Sequence, residues 1–286
     1  MSEPAAERCS DRSRAAGEQL PGTAATVDRW LLLEVPGSWS RDVGSGAGLP
    51  DAVRATVSSW LANATERRRL LFVRRPGRAS APRLAFVVRA HESSHEVRRI
   101  ELDRIDRLAG VELERFGDAV DARLVLVCGH GTRDACCALR GTAVYGALVG
   151  RLDDEELWIS SHQGGHRFAP NVLVLPLGLQ LGRVEPYEAP AVVARALEGR
   201  IELDRYRGRT CYPPAVQAAE HAIRAARGLA GVSELSLVDA DSEVIRFRDR
   251  NGDEHAARVV EREGPAVAPS CGDAPEPQRT FVAQLL

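Results

Sequence analysis

The chain contains no lysine. All of its 38 basic residues are arginine, set against 40 acidic ones, for a formal net charge of −2. An excess of positive field suited to nucleic acid is therefore missing, and the arginine usage reads as coding bias rather than as a phosphate-binding feature. Long apolar runs are also missing. Nothing approaches the ~18–20 residues needed to cross a bilayer, and the opening MSEPAAERCSDRSRAAGEQL lacks the apolar segment of a secretory signal. A cytoplasmic protein that engages neither membrane nor nucleic acid is expected. None of the six cysteines forms a C-x-x-C pair, which argues against a thiol–disulfide oxidoreductase. Glycoside hydrolysis needs two carboxylates facing each other across a sugar. The acidic run Asp153–Glu156 is contiguous, without an aromatic-lined site around it, and reads as a solvated turn.

What is present is concentrated. The stretch LVLVCGHGTRDACCALRGTAVYGALVGRLDDEELWISSHQGGHRFAPN, residues 124–171, carries Cys128, Cys136, Cys137, His162 and His166. Two apolar runs, Leu124–Val127 and Leu157–Ile159, each lead into ligand-type residues. Between them, Ala135–Val149 has the length and apolar content of a crossover helix. This β-α-β pattern places its donors beyond the carboxyl ends of two strands, where open α/β sheets gather their chemistry. Six cysteines in a chain of 286 residues, with no secretory signal, favour metal or redox work over a disulfide framework.

The pattern C-x8-C (Cys128, Cys137) within CGHGTRDACC, together with H-x3-H (His162, His166) within HQGGHRFAPN, resembles the sucrase/ferredoxin-like family. The resemblance runs from about Cys9 to Pro214 and includes LDRYRGRTCYPP. It implies a thioredoxin-like ferredoxin domain and a [2Fe-2S] cluster held by Cys128, Cys137, His162 and His166. It also implies a one-electron carrier working between donor and acceptor redox proteins, with no substrate pocket of its own.

Read from the residues alone, Cys128 leaves a strand end and Cys137 opens the following helix, where unpaired amides favour a thiolate. Gly129 and Gly131 let the intervening loop fold tightly. Cys136 adjoins Cys137, and neighbouring helix residues point about 100° apart, so the two should not face one metal. The resemblance selects Cys137 and leaves Cys136 as a lesser ligand candidate, read otherwise as a core thiol under the helix or as half of a vicinal dithiol with Cys137. Gly164-Gly165 makes the His162–His166 segment a loop that can turn both rings inward. His130 is a lesser candidate, at the rim of the site. His91 and His95 share the H-x3-H spacing without nearby cysteines and read as a solvated loop. Arg133, Arg140 and Arg167 flank the ligands, either as solvated charge or as docking groups for an acidic partner. Cys9, Cys211 and Cys271 read as packing or free thiols, and Asp134 as a helix cap.

Replacing two thiolates with neutral imidazoles makes an oxidised diiron site neutral instead of anionic. Its potential should therefore lie above the roughly −400 mV of plant-type ferredoxins. The same Cys2His2 set could also bind structural zinc, and iron would be told from zinc by colour. A third reading is an interaction module that docks through its C-terminal helix and meander.

In order, residues 1–25 are polar and expected to be flexible. Residues 26–110 form an α/β unit with strands at Arg29–Val35, Leu70–Val73, Leu84–Val88 and Arg99–Leu102 and a helix at Pro50–Leu61. Residues 111–210 repeat the β-α-β-β order with the ligands, so the first unit reads as a degenerate thioredoxin-like repeat. Strands are expected there at Arg123–Val127, Glu156–Ser160, Val172–Leu175 and Leu179–Val184, then a helix at Pro190–Leu197 and a linker at Asp204–Pro214. Residues 211–286 give a helix at Ala215–Arg227 and a small β meander. Asn251-Gly252 marks its hairpin, and nothing in it suggests chemistry.

Overall fold

The computed structural model describes residues 8–62, 65–77, 82–241 and 243–286. It is a mixed α/β structure. The first unit contains β1 (Arg29–Glu34), α2 (Asp51–Leu61), β2 (Arg68–Arg74), β3 (Arg83–Ala90), β4 (His95–Leu102) and β5 (Asp118–Val120), preceded by α1 (Cys9–Ala15). The second contains β6 (Leu124–Cys128), α3 (Ala135–Leu148), β7 (Leu157–Ser160), β8 (Val172–Leu175), β9 (Leu179–Leu181), α4 (Ala189–Leu197) and β10 (Tyr206–Arg209). These strands form one ten-stranded sheet in the order β10-β9-β8-β6-β7-β2-β1-β3-β4-β5.

The same local topology occurs twice. β1 lies parallel to β2 and antiparallel to β3, which pairs with β4. β6 likewise lies parallel to β7 and antiparallel to β8, which pairs with β9. An antiparallel seam between β2 and β7, Val73 opposite Ser160 and Arg74 opposite Ile159, joins the two halves.

Alternation along the strands divides the core. Leu31 and Leu33 face α2 through Val53, Val57 and Trp60, and Val125 and Val127 face α3 and α4 through Val144, Leu148, Val192 and Val193. The intervening residues of both halves, Trp30, Leu32, Phe86, Leu124, Leu126 and Trp158, form a shared core on the opposite face. Two strands separate Phe86 from Trp158, yet their rings meet edge to face at 5.7 Å, so the sheet curls over this core. Burial on both faces explains why these strands are continuous apolar runs.

α5 (Pro214–Arg227) packs on a four-stranded antiparallel meander, β11 (Leu235–Ala240), β12 (Val244–Asp249), β13 (Glu254–Val267) and β14 (Glu276–Leu285). Val216, Ala219 and Ile223 meet Leu235, Ile245, Phe247 and Ala257 there. Gly252 takes the positive φ of 92° that the β12–β13 hairpin needs. Among the described residues, no helix is long and apolar enough to cross a membrane.

Two expectations change. Residues 1–7 lie outside the described residues, but residues 8–25 are not loosely held. α1 buries Cys9, Ser10 and Ser13, and Glu18 and Leu20 are buried beyond it. Their polar composition hid this, because the segment is fixed by ion pairs such as Arg140 with Asp11 and Arg167 with Glu18, the latter at 2.8 Å. The linker at Asp204–Pro214 is instead largely the edge strand β10 and its flanks, with Tyr206, Arg207 and Arg209 buried. Its arginines suggested solvent, whereas Arg207 spends its donors on buried acceptors.

Candidate metal centre

β6 delivers Cys128 as its last residue, and α3 begins seven residues later. Asp134 caps α3, its Oδ1 accepting the Cys136 N–H at 2.8 Å. The next residue, Cys137, turns back toward β6. Cys128 Sγ, Cys137 Sγ and a ring nitrogen of His162 lie within 4.8 Å of one another, with Cys137 Sγ 4.0 Å from His162 Nδ1. Both cysteines are buried, and His162 is half-buried.

His166 stands beside this group, outside its tightest part. Its ring centroid is 4.8 Å from that of His162. Its Nε2 lies 4.0 Å from Asp134 Oδ2, and its buried Nδ1 has no hydrogen-bond partner. His130 has both ring nitrogens engaged. Nε2 meets the Ser40 carbonyl at 2.9 Å, and Nδ1 accepts the His162 N–H at 3.2 Å. It therefore positions His162. Arg69 secures the other side of that residue by donating to its carbonyl at 2.8 Å.

The histidine loop turns on Gly164 and Gly165, both at positive φ, and is anchored by residues that no motif announced. Arg207, fully buried, donates to the Gly164 carbonyl at 3.0 Å and to Asn171 Oδ1 at 2.8 Å. Asn171 Nδ2 donates in turn to the Gly165 carbonyl at 2.9 Å. Gln163 donates to the Leu126 carbonyl and to Ser160 Oγ, both at 2.8 Å. A buried arginine downstream of the ligands was the available sequence signal, but nothing in RYRGR marks which arginine turns inward.

The first cysteine of the CC pair, Cys136, belongs elsewhere. Cys136 Sγ lies 3.5 Å from Cys9 Sγ and 3.4 Å from Cys271 Sγ, and Cys271 Sγ is 3.5 Å from Cys9 Sγ. Asp134 belongs to this group as well. Cys9 and Cys271 are thus not isolated packing thiols, since three distant segments bring their sulfurs into contact. Cys211 does pack in an apolar core, beside Tyr212, Ile223 and Phe247.

Electrostatics differ between neighbours. A hydrogen bond from Cys137, acting against burial and joined by one from His162, holds Cys128 well below the usual thiol range. Donation to Cys128, then burial, raises Cys137. Burial alone would raise Asp134, but the N–H groups of Cys271 and Cys136 and the nearby His166 hold it at about 2. Burial, then the proximity of His162, lowers His166. Arg140 and Arg167 pair with Asp11 and Glu18. Arg133, with Arg41 and Arg69, lines a small cavity that reaches His130 and His162. His91 is exposed, and His95 opens β4.

The structure is an α/β protein with two groups of Cys, His and Asp side chains, of types that could hold a metal, around the start of one helix. The chain belongs to the sucrase/ferredoxin-like family, whose pattern it matches over residues 20–208. It is similar to the Altered inheritance of mitochondria protein 32 of several yeasts. With that of Eremothecium gossypii it shares 32% identity over 146 residues, 46% of each chain. With that of Meyerozyma guilliermondii it shares 30% over 118 residues, 38% of this chain and 42% of the relative. With that of Saccharomyces cerevisiae it shares 28% over 151 residues, 46% of this chain and 45% of the relative. The matches span less than half the length of these curated relatives. No solved structure matches.

Proposed function

We propose that the protein is a one-electron carrier that binds a [2Fe-2S] cluster through Cys128, Cys137, His162 and His166, on a thioredoxin-like unit whose first, ligand-free repeat serves as scaffold. The observation that carries the reading is the convergence of Cys128, Cys137 and His162 within 4.8 Å, with the buried, unpartnered Nδ1 of His166 beside them. Two thiolates and two imidazoles are a donor set suited to a diiron cluster. An orphaned buried ring nitrogen fits a position that donates to a bound group. The strand orders β7-β6-β8-β9 and β2-β1-β3-β4 support the thioredoxin-like reading and the repeat. A cytoplasmic protein with redox proteins as donor and acceptor is part of the same proposal.

When bound, the cluster supplies the one-electron couple. The chain supplies position and field. Cys128 accepts a hydrogen bond from the Gln163 backbone, which stabilises its thiolate. His166 stands 4.0 Å from the ionised Asp134 through Nε2, and its unpartnered Nδ1 would serve as the donor atom. His162 is the ligand nearest solvent, and the arginines at its cavity suit an acidic redox partner.

Anaerobically purified protein should be brown, with about two irons and two acid-labile sulfides per chain. After dithionite it should show a paramagnetic signal of lower average g than four-cysteine sites. Cys128→Ala, Cys137→Ala, His162→Ala and His166→Ala should each bleach or destabilise the centre, while Cys136→Ala keeps its iron. A colourless protein holding zinc on the same four residues would overturn the reading. Where the ligand imidazoles titrate, the midpoint potential should fall as pH rises, by up to about 59 mV per unit for one proton per electron. Protein-film voltammetry across pH checks this, and a flat profile would remove imidazole proton coupling.

A further inference from the structure

We propose that Cys9, Cys136 and Cys271, with a carboxylate oxygen of Asp134 as fourth donor, form a closed zinc site separate from the Cys128–Cys137–His162 group. The three sulfurs make a nearly equilateral triangle with edges of 3.5, 3.4 and 3.5 Å. Thiolates on a tetrahedral zinc with bonds of about 2.3 Å stand about 3.8 Å apart, so small outward shifts would seat the ion. A disulfide would instead draw two sulfurs to about 2.05 Å and leave the third unpaired. Nothing in the triangle singles out a pair.

The fourth corner is in place. Asp134 Oδ1 lies 3.4 Å from Cys271 Sγ and 3.8 Å from Cys9 Sγ, where tetrahedral geometry sets sulfur and oxygen about 3.5 Å apart. The donors are oriented from outside. Ser10 Oγ donates to Cys136 Sγ at 3.2 Å. Ser270 Oγ and the Cys271 N–H donate to Asp134 Oδ2 at 3.0 and 2.8 Å. Such outer hydrogen bonds fix ligands around a metal. Ala169 and Ala268 pack against the sulfurs. Soft thiolates favour zinc over magnesium, calcium or manganese, and four protein donors make the site structural rather than catalytic.

The donors come from α1, from the first turn of α3 and from the chain between β13 and β14. An ion there staples the N-terminal segment and the meander to the helix that carries Cys137. The proposal does not rest on the iron–sulfur reading, and its test separates the two. Full-length protein, purified anaerobically, is analysed for zinc and iron and examined by X-ray absorption at the zinc edge. We expect about one zinc per chain, with three sulfurs at about 2.3 Å and one oxygen. Cys9→Ser and Cys271→Ser should lower zinc at least tenfold and keep the iron, whereas Cys128→Ser should lose iron and keep zinc. Absorption by the unsubstituted protein decides the matter even if a variant fails to fold. Protein without zinc, a shell of two sulfurs and two nitrogens, or a disulfide within the triangle would overturn the proposal.

Discussion

Gly141→Ala should destabilise the protein by about 3 kcal/mol or more, at the upper end of what overpacking costs, and strip it of the iron that the proposed function assigns to it. α3 crosses β6 with Gly141 against the backbone, and a β-carbon there would stand 1.9 Å from the Cys128 carbonyl oxygen and 2.9 Å from its carbon. Backbone within a sheet cannot yield as a flexible side chain can, so the helix must lift. Cys137 lies one turn earlier on the same helix face, and its sulfur would move away from Cys128 with it. Gly146→Ala is the control. On the same helix it is exposed, with nothing within 4 Å of an added β-carbon, and should stabilise by roughly 0.5–1 kcal/mol. Denaturant unfolding and iron content measure both. Equal behaviour of the two variants would show that the close approach of helix and strand does not hold the cysteines together.

Glu220→Ala should cost about 3–5 kcal/mol, the range for removing one partner of a buried ion pair. Glu220 and Arg224, four residues apart on α5, are both fully buried and 2.9 Å apart. Glu220 Oε2 also accepts the Tyr206 hydroxyl at 2.8 Å. Arg224 donates in addition to the Gly231 and Val232 carbonyls at 2.7 and 3.0 Å. The network thus fastens α5 to β10 and to the turn before β11. Removing the carboxylate strands a guanidinium and a hydroxyl away from water. The double variant Glu220→Ala/Arg224→Met, which removes the buried charge altogether, should recover much of the loss. If the single variant melts with the parent, the pair contributes nothing.

The sheet and its main helices were legible in the sequence because their apolar runs are unambiguous. Val172–Leu175 forms as expected, and α3 ends one residue short of its predicted Val149. The split of Cys136 from Cys137 was legible too, since a helical register sends adjacent side chains different ways. Cys9 and Cys271 were not. They are 262 residues apart, and no spacing rule joins a helix that precedes the sheet to a loop that follows it. Arg207 was hidden for another reason. Charged residues are assigned to solvent unless their partners are known, and its partners are the Thr23 and Gly164 carbonyls and the neutral side chains of Thr23 and Asn171, none of which marks a counter-charge in the sequence. Glu220 and Arg224 were hidden likewise, because an i, i+4 ion pair inside a helix reads the same whether wet or dry.

The β2–β7 seam has a consequence for any attempt to divide the chain. Ser161, directly before His162, donates its N–H to the Phe72 carbonyl at 2.7 Å and accepts the Phe72 N–H on its hydroxyl at 3.0 Å. Trp39 and Ser40, also from the first half, supply carbonyls to Thr132 and His130. The half that lacks Cys128, Cys137, His162 and His166 therefore acts as the jig for the half that carries them. A fragment cut to residues 111–210 would keep all four donors but present β7 as a bare edge, with the histidine loop detached from the neighbour that sets its position.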